Sequence, residues 1–412
     1  MPGKLKFSLF SNYLPLVVLF LVCPVFSIVV PAQDVPFLKL SEQMAVNMAV
    51  ENNIRIRNSV LETEKAKYAK NSAINIPSAT FTYQYGNIHS PLNESYIELN
   101  QNFGSLLMHI RRYKTAQSQI ALEESKHGLT KKEVIAEVKS AYYFWLYLSK
   151  KLEIFLEQKN QFSNMGRIAA LKYELGDIDI LEKATLLAMQ AETEVEYYTL
   201  QDDIVIAGNK LKQLLATDQE IAPETTLLEL YMIDKPSPHS EYKGGLVLDV
   251  CEKTYELELK KFQTEKARFF PGISAGYFNQ TIGTVKGLDG WQAGLSFPVW
   301  FFSPMSDIRQ AKINTQIAQN NLENQRFLIQ SNIENLLFEL NKLFKMVIHY
   351  KEYIIPQAEM LINTAGVQFE KEEIEYSDYL KSISRGYKFF TDYYETINNY
   401  NQTAIQLEFY AD

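Results

Sequence analysis

The feature that most constrains the fold is a long apolar seam that occurs twice. Val134, Val138, Ala141, Trp145, Leu148, Leu152 and Phe155 step by alternating four and three residues. Ile329, Ile333, Leu336, Leu340, Leu343, Val347 and Tyr350 do the same, each 195 residues after its counterpart. A third seam runs through Tyr376, Leu380, Ile383, Tyr387, Phe390, Tyr394 and Ile397. A 3.5-residue period keeps its stripe in line only if helices wind about one another with a left-handed supercoil. Any one seam is also what an ordinary coiled-coil core looks like. Two seams at a common offset mark a duplicated helical plan.

The helices must be long. The 17 glycines and 14 prolines in 412 residues are both few, against roughly 7% and 5% in average usage, and no proline lies between Pro91 and Pro223. The pattern predicts one helix from about residue 105 to 164, roughly 90 Å at 1.5 Å per residue. Gly166 and Gly176 are expected to bracket a turn, with a helix returning from about Ile178. The second half predicts an outgoing helix from about Met305 to Gly366, a turn near Glu372 and a return from about Ser377 to Leu407, with Pro356 kinking the outgoing helix. Leu40–Asn75 and Leu246–Arg268 read as further helices. The stretch 217–245, with Pro223, Pro236, Pro238 and Gly244-Gly245, reads as a linker between a first repeat, 33–216, and a second, 246–412.

Residues 1–32 read as a secretory signal peptide. Lys4 and Lys6 precede an apolar run from Leu14 to Val30, followed by Ala32, near which cleavage is expected. Its prolines and length fall short of the ~20 apolar residues of a spanning helix. Leu19-Phe20-Leu21-Val22-Cys23 loosely resembles a lipoprotein box, although Val22 is large where a small residue belongs. No later run of apolar residues is long enough to span, so membrane insertion after export would require strands.

Four segments alternate with period two. Residues 79, 81, 83 and 85 are apolar or aromatic and 78, 80, 82 and 84 polar; Ile97, Leu99 and Phe103 oppose Tyr96, Glu98, Asn100 and Asn102. Ile273, Ala275 and Tyr277 alternate with Gly272, Ser274 and Gly276, and Trp291, Ala293, Leu295 and Phe297 with Gln292, Gly294 and Ser296. These are four strands with one apolar face each. Two settings fit: a sheet half-buried on a soluble core, or a barrel with lipid outside and water inside. Nearby helix faces are committed to their own seams, which favours the barrel. Four strands leave two bare edges in hydrocarbon, so several copies must contribute, and three would give twelve strands. The segments 86–93 and 280–290 would be the outward-facing turns.

With these elements in order, the chain resembles the TolC outer-membrane efflux family over essentially all of its mature length. The resemblance is carried by the turn Tyr173-Glu174-Leu175-Gly176-Asp177-Ile178-Asp179-Ile180-Leu181-Glu182, by Ile354-Ile355-Pro356-Gln357-Ala358-Glu359, by the closing helix around 400–408, and by 290–302 entering the second long helix. The last stretch is similar to relatives that serve heavy-metal pumps of the RND type. The resemblance implies a mainly α fold with a small β part: long coiled-coil hairpins in two repeats plus four strands. A homotrimer would form a twelve-stranded barrel in outer-membrane lipid and a helical barrel in the periplasm. The implied function is the exit duct of a tripartite system, with a periplasmic adaptor and an inner-membrane pump as partners. One departure is that Glu372, in Phe369-Glu370-Lys371-Glu372-Glu373-Ile374, stands where the second turn should have glycine.

Both turns concentrate carboxylates, Asp177, Asp179 and Glu182 in one and Glu370, Glu372, Glu373, Glu375 and Asp378 in the other. Exposed acid on a turn is commonly only solvated. Converging from three copies, these groups would form rings that favour cations at a periplasmic aperture. Tyr173, Leu175, Gly176, Ile178, Phe369 and Ile374 are the candidates for adaptor contact, with turn packing as their structural alternative.

The remaining composition excludes other classes. Five scattered histidines and two cysteines, Cys23 and Cys251, form no metal-ligand spacing or disulfide framework. Met44 and Met48 lack a His or Cys partner and read as packing residues. No phosphate cradle, nucleophile elbow or histidine–carboxylate helix is present, so neither catalysis nor a cofactor is expected. The net charge of −8 argues against nucleic-acid binding. The rival reading is a periplasmic coiled-coil scaffold or adaptor without a pore, which leaves the four strands unexplained.

Overall fold

The computed structural model describes residues 37–233, 245–297 and 302–410. The expected signal peptide, Cys23, the centre of the linker and Val299-Trp300-Phe301 lie outside the described residues. The chain opens with β1 (Leu38–Leu40), α1 (Glu42–Asn52) and α2 (Ile54–Asn71), followed by β2 (Thr80–Gly86) and β3 (Glu94–Gly104). The hairpin α3 (Leu106–Leu175) and α4 (Ile180–Leu215) follows, then β4 (Ile221–Pro223). The rest comprises α5 (Gly245–Lys266), β5 (Gly272–Ile282), β6 (Val285–Ser296), α6 (Phe302–His349), α7 (Ile355–Glu370) and α8 (Tyr376–Tyr410).

The seams do become core. Val134, Val138, Trp145 and Leu148 are buried in one cluster with α1 and α4. Ile329, Ile333, Leu340 and Leu343 pack with Leu248 of α5 and Ala404 and Leu407 of α8, and Tyr376, Leu380, Ile383 and Tyr387 form a third cluster with Phe162 and Leu186.

Three expectations are corrected. Gly166 does not end the outgoing helix, because α3 runs unbroken for 70 residues to Leu175. A Cβ at Gly166 would lie 2.7 Å from Oε1 of Gln190 on α4, so this glycine permits a close helix approach instead of making a turn. The helix expected over 40–75 breaks at Asn53, which is 5% exposed and in extended conformation. Its side chain donates to the Leu214 carbonyl at 2.8 Å and accepts from the Arg55 amide at 2.9 Å, capping α2 while tying it to the end of α4. Finally, 280–290 is not a loop: β5 and β6 pair up to Ile282 and Val285, with Gly283 at φ +55° in the tight connection.

Near Pro356 the second outgoing helix widens into a π-helical turn at Tyr350–Ile354 before α7. Proline has no N–H to donate to the preceding turn and its ring crowds that carbonyl, so the backbone takes up an extra residue there. α7 then continues through Gly366 to Glu370.

β1 and β4 pair in parallel, fastening the start of the chain to the segment after the first hairpin. Beyond β4, Asn401 of α8 holds the same segment: its Oδ1 accepts from the Tyr231 amide at 2.7 Å and its Nδ2 donates to the Glu229 carbonyl at 2.8 Å.

Candidate membrane sheet and hairpin turns

The four longer strands form one antiparallel sheet in the order β2-β3-β5-β6. Period-two alternation and register together sort its faces. On one face Phe81, Leu99, Tyr277 and Trp291 lie in a row, flanked by Tyr83 with Ile97 and by Ile273 with Leu295. Among the described residues no element covers them: Trp291 is 83% exposed, Leu295 70% and Phe81 66%. The other face carries Thr80, Thr82, Gln84, Glu98, Asn100, Ser274 and Gln292, in register with Gly276, Gly290 and Gly294. Among the described residues the outer strands β2 and β6 each have one neighbour, leaving two unpaired edges. Among the described residues no helix is long and apolar enough to cross a membrane, and no group of three or more His, Cys, Asp or Glu side chains could hold a metal ion.

At the far end of α3 the two helical turns meet. The first closes by bonds from the Gly176 amide to the Tyr173 carbonyl at 3.1 Å and from the Asp177 amide to the Lys172 carbonyl at 2.9 Å. The second repeats this pattern: Glu372 to Phe369 at 3.0 Å and Glu373 to Gln368 at 2.9 Å. Both central residues are left-handed, Gly176 at φ +82° and Glu372 at φ +59°. The turn geometry is thus retained without glycine, with a Cβ held in a conformation that L residues disfavour. Lys172 joins the turns, its ammonium 3.7 Å from Oε1 of Glu372 and 5.3 Å from the Phe369 ring centroid.

The structure places the carboxylates of Asp177, Asp179, Glu370, Glu372, Glu373, Glu375 and Asp378 in exposed positions at this end. Some have local duties: Asp179 accepts from the Glu182 amide at 2.7 Å in a capping box, and Asp378 lies 3.3 Å from Lys381. Of the candidate contact residues, Tyr173, Leu175 and Gly176 are exposed, Ile178 and Ile374 are half-buried, and Phe369 is buried. Phe369 stacks on Tyr379, with ring centroids 4.6 Å apart.

Sequence reasoning did not single out the polar crossing behind these turns. Tyr387 on α8 donates to Oε1 of Gln161 on α3 at 2.6 Å, and Nε2 of that glutamine donates to the Tyr379 hydroxyl at 3.3 Å. Burial, and secondarily Glu157, pushes the Tyr387 hydroxyl up to about 12. Two tyrosines about two turns apart on one helix, one of them a seam position, were the available signal, since a buried phenol usually finds a partner.

No family model matches the chain, and no curated protein matches it. Solved structures do. A membrane protein from Pseudomonas aeruginosa superposes with a TM-score of 0.78 at 15% identity, covering 91% of both chains. The Campylobacter jejuni CmeC outer membrane channel gives 0.76 at 13% identity over 89% of this chain and 84% of that one. The open state of the Neisseria gonorrhoeae MtrE outer membrane channel gives 0.72 at 14% identity over 90% and 88%. At this level of identity the likeness is one of fold. The chain has the mainly helical, small-sheet fold of the outer membrane channels, as the TolC resemblance implied.

Proposed function

We propose that this chain is one protomer of a trimeric outer-membrane channel, the exit duct of a tripartite efflux system. The observation that carries the reading is the sheet: an uncovered apolar face and two unpaired edges belong to a wall that other copies complete and lipid covers. Three sheets of four strands make twelve, enough to enclose a water-filled passage. The fold shared with CmeC and MtrE supports the same reading, and nothing in the structure favours a scaffold without a pore. Residues 1–32 would direct export, and 33–216 and 246–412 would be two repeats of one strand-and-hairpin unit joined by 217–245. The duct conducts passively. Energy and most of the selectivity come from an inner-membrane pump of the RND class, reached through a periplasmic adaptor.

The turn end is assigned to the periplasmic aperture. Glu370, Glu372, Glu373, Glu375 and Asp378, with Asp177 and Asp179, form its cation-favouring rim. Tyr173, Leu175, Gly176 and Ile178 are offered to the adaptor, while Phe369 and Ile374 support them from within. The test is reconstitution of detergent-purified protein into planar bilayers. Stepwise trimeric channels are expected, with cation preference reduced when Glu372, Glu373 and Glu375 are neutralised. A detergent-independent monomer without conductance would overturn the reading.

A further inference from the structure

On the polar face of the sheet the side chains lie along the wall instead of standing up from it. Three rows cross the four strands: Gln84, Tyr96, Gln280 and Leu288; Thr82, Glu98, Phe278 and Gly290; Thr80, Asn100, Gly276 and Gln292. Two members are glycine where a neighbour's side chain already fills the space. A Cβ on Gly290 would come 2.7 Å from Cζ of Phe278, and one on Gly276 would come 2.6 Å from Nε2 of Gln292. Packed side chains do not tolerate such approaches without moving.

Over Gly276 the Gln292 amide reaches across β5 and donates to Oε1 of Glu98 on β3. Asn100 donates from Nδ2 to the same oxygen at 3.2 Å, and the Tyr96 hydroxyl donates to Oε2 at 3.3 Å. Tyr96 and Phe278 stack, with ring centroids 5.9 Å apart and planes 24° from parallel. Every one of these donors to Glu98 is neutral. They aim the carboxylate without cancelling its negative charge.

We propose that Glu98, with the stacked Tyr96 and Phe278 rings, is a cation-contacting belt on the barrel wall, suited to organic ammonium ions. The inference rests on the trimeric channel reading, in which three carboxylates and three aromatic pairs face one lumen. The carboxylate supplies the charge, and a ring face attracts an alkylated ammonium that surrenders little hydration to touch it. Because the glycines let these side chains lie flat, the belt contacts a passing ion without closing the passage, and the weak repeated contact suits conduction. The belt adjoins the start of α3 and the acidic turns its end, about 105 Å apart along a helix of 70 residues, so the two charged features are separable.

The test uses the purified full-length trimer in planar bilayers, with tetraethylammonium added to each side in turn while potassium current is recorded. The wild type should be blocked reversibly. Glu98→Gln, which keeps an acceptor for Gln292 and Asn100, should weaken the block about two- to fivefold, and Phe278→Leu by a similar factor. Neutralising Glu372, Glu373 and Glu375 should weaken only the block from the turn side and leave block from the barrel side in place. Wild-type current insensitive to tetraethylammonium, or equal block of wild type, Glu98→Gln and Phe278→Leu, overturns the belt while the channel stands. Absence of any wild-type channel overturns the channel reading and the belt with it.

Discussion

The helical hairpins and the sheet both announce themselves by apolar periodicity, yet they dispose of it in opposite ways. In the hairpins the positions marked by the 3.5-residue period are buried inside the chain, Val134, Val138 and Ile333 almost completely. In the sheet the positions marked by the two-residue period, from Phe81 to Trp291 and Leu295, face outward and are exposed among the described residues. A helix seam needs only the neighbouring helix that the chain itself supplies. Among the described residues the apolar face of the sheet has no such partner, and the proposed barrel supplies one from lipid and from other copies.

That contrast can be broken first at Trp291. Placing a charge at the centre of a lipid-facing row costs about 2–4 kcal/mol for arginine near the bilayer midplane, incurred once per copy. Trp291→Arg is therefore expected to abolish channel currents and outer-membrane fractionation. A soluble sheet would accept the exposed arginine with no change in either readout. Within the helices, Leu340→Ala removes a side chain that is 3% exposed. It should cost about 2–5 kcal/mol, read as a lower midpoint of helical thermal unfolding.

Alkali tests the same interior. Burial raises Tyr147 and Tyr387 from the usual 10 to about 12 each. A group with a raised folded-state pKa stabilises fully below its unfolded value and loses that contribution as pH rises. Helical melting midpoints should therefore hold below pH 10 and fall between pH 10 and about 12. Tyr387→Phe should flatten part of that fall.

The smallest effect is at the turns. Glu372 sits at φ +59° where Gly176 sits at +82°. Its exposed contact with Lys172 at 3.7 Å offsets little. Glu372→Gly should stabilise the second turn by up to about 1 kcal/mol, seen as slower proteolysis there. Gly176→Ala should do the reverse at the first.

Much of this was legible in the sequence because both periods are properties of consecutive residues. The three seams and the four strands follow from spacing alone. What was misread is glycine. Gly166 and Gly290 looked like turn formers, but one admits the side chain of Gln190 between two helices and the other lies beneath the Phe278 ring. Those reasons belong to residues distant in the chain, and no local pattern carries them. Asn53 was hidden in the same way, since its partner, the Leu214 carbonyl, lies at the end of another helix. In the candidate site the acidic residues were visible as composition. Their division into helix cap, ion pair and open carboxylate depends on turn geometry that sequence does not display.

The most direct test is cryo-electron microscopy of the detergent-extracted, full-length protein. The account predicts three copies whose sheets join edge to edge, β2 of one copy against β6 of the next, in a closed twelve-stranded cylinder with Trp291 facing the detergent belt. A single copy, soluble without detergent, whose sheet packs that same face against its own helices would contradict it.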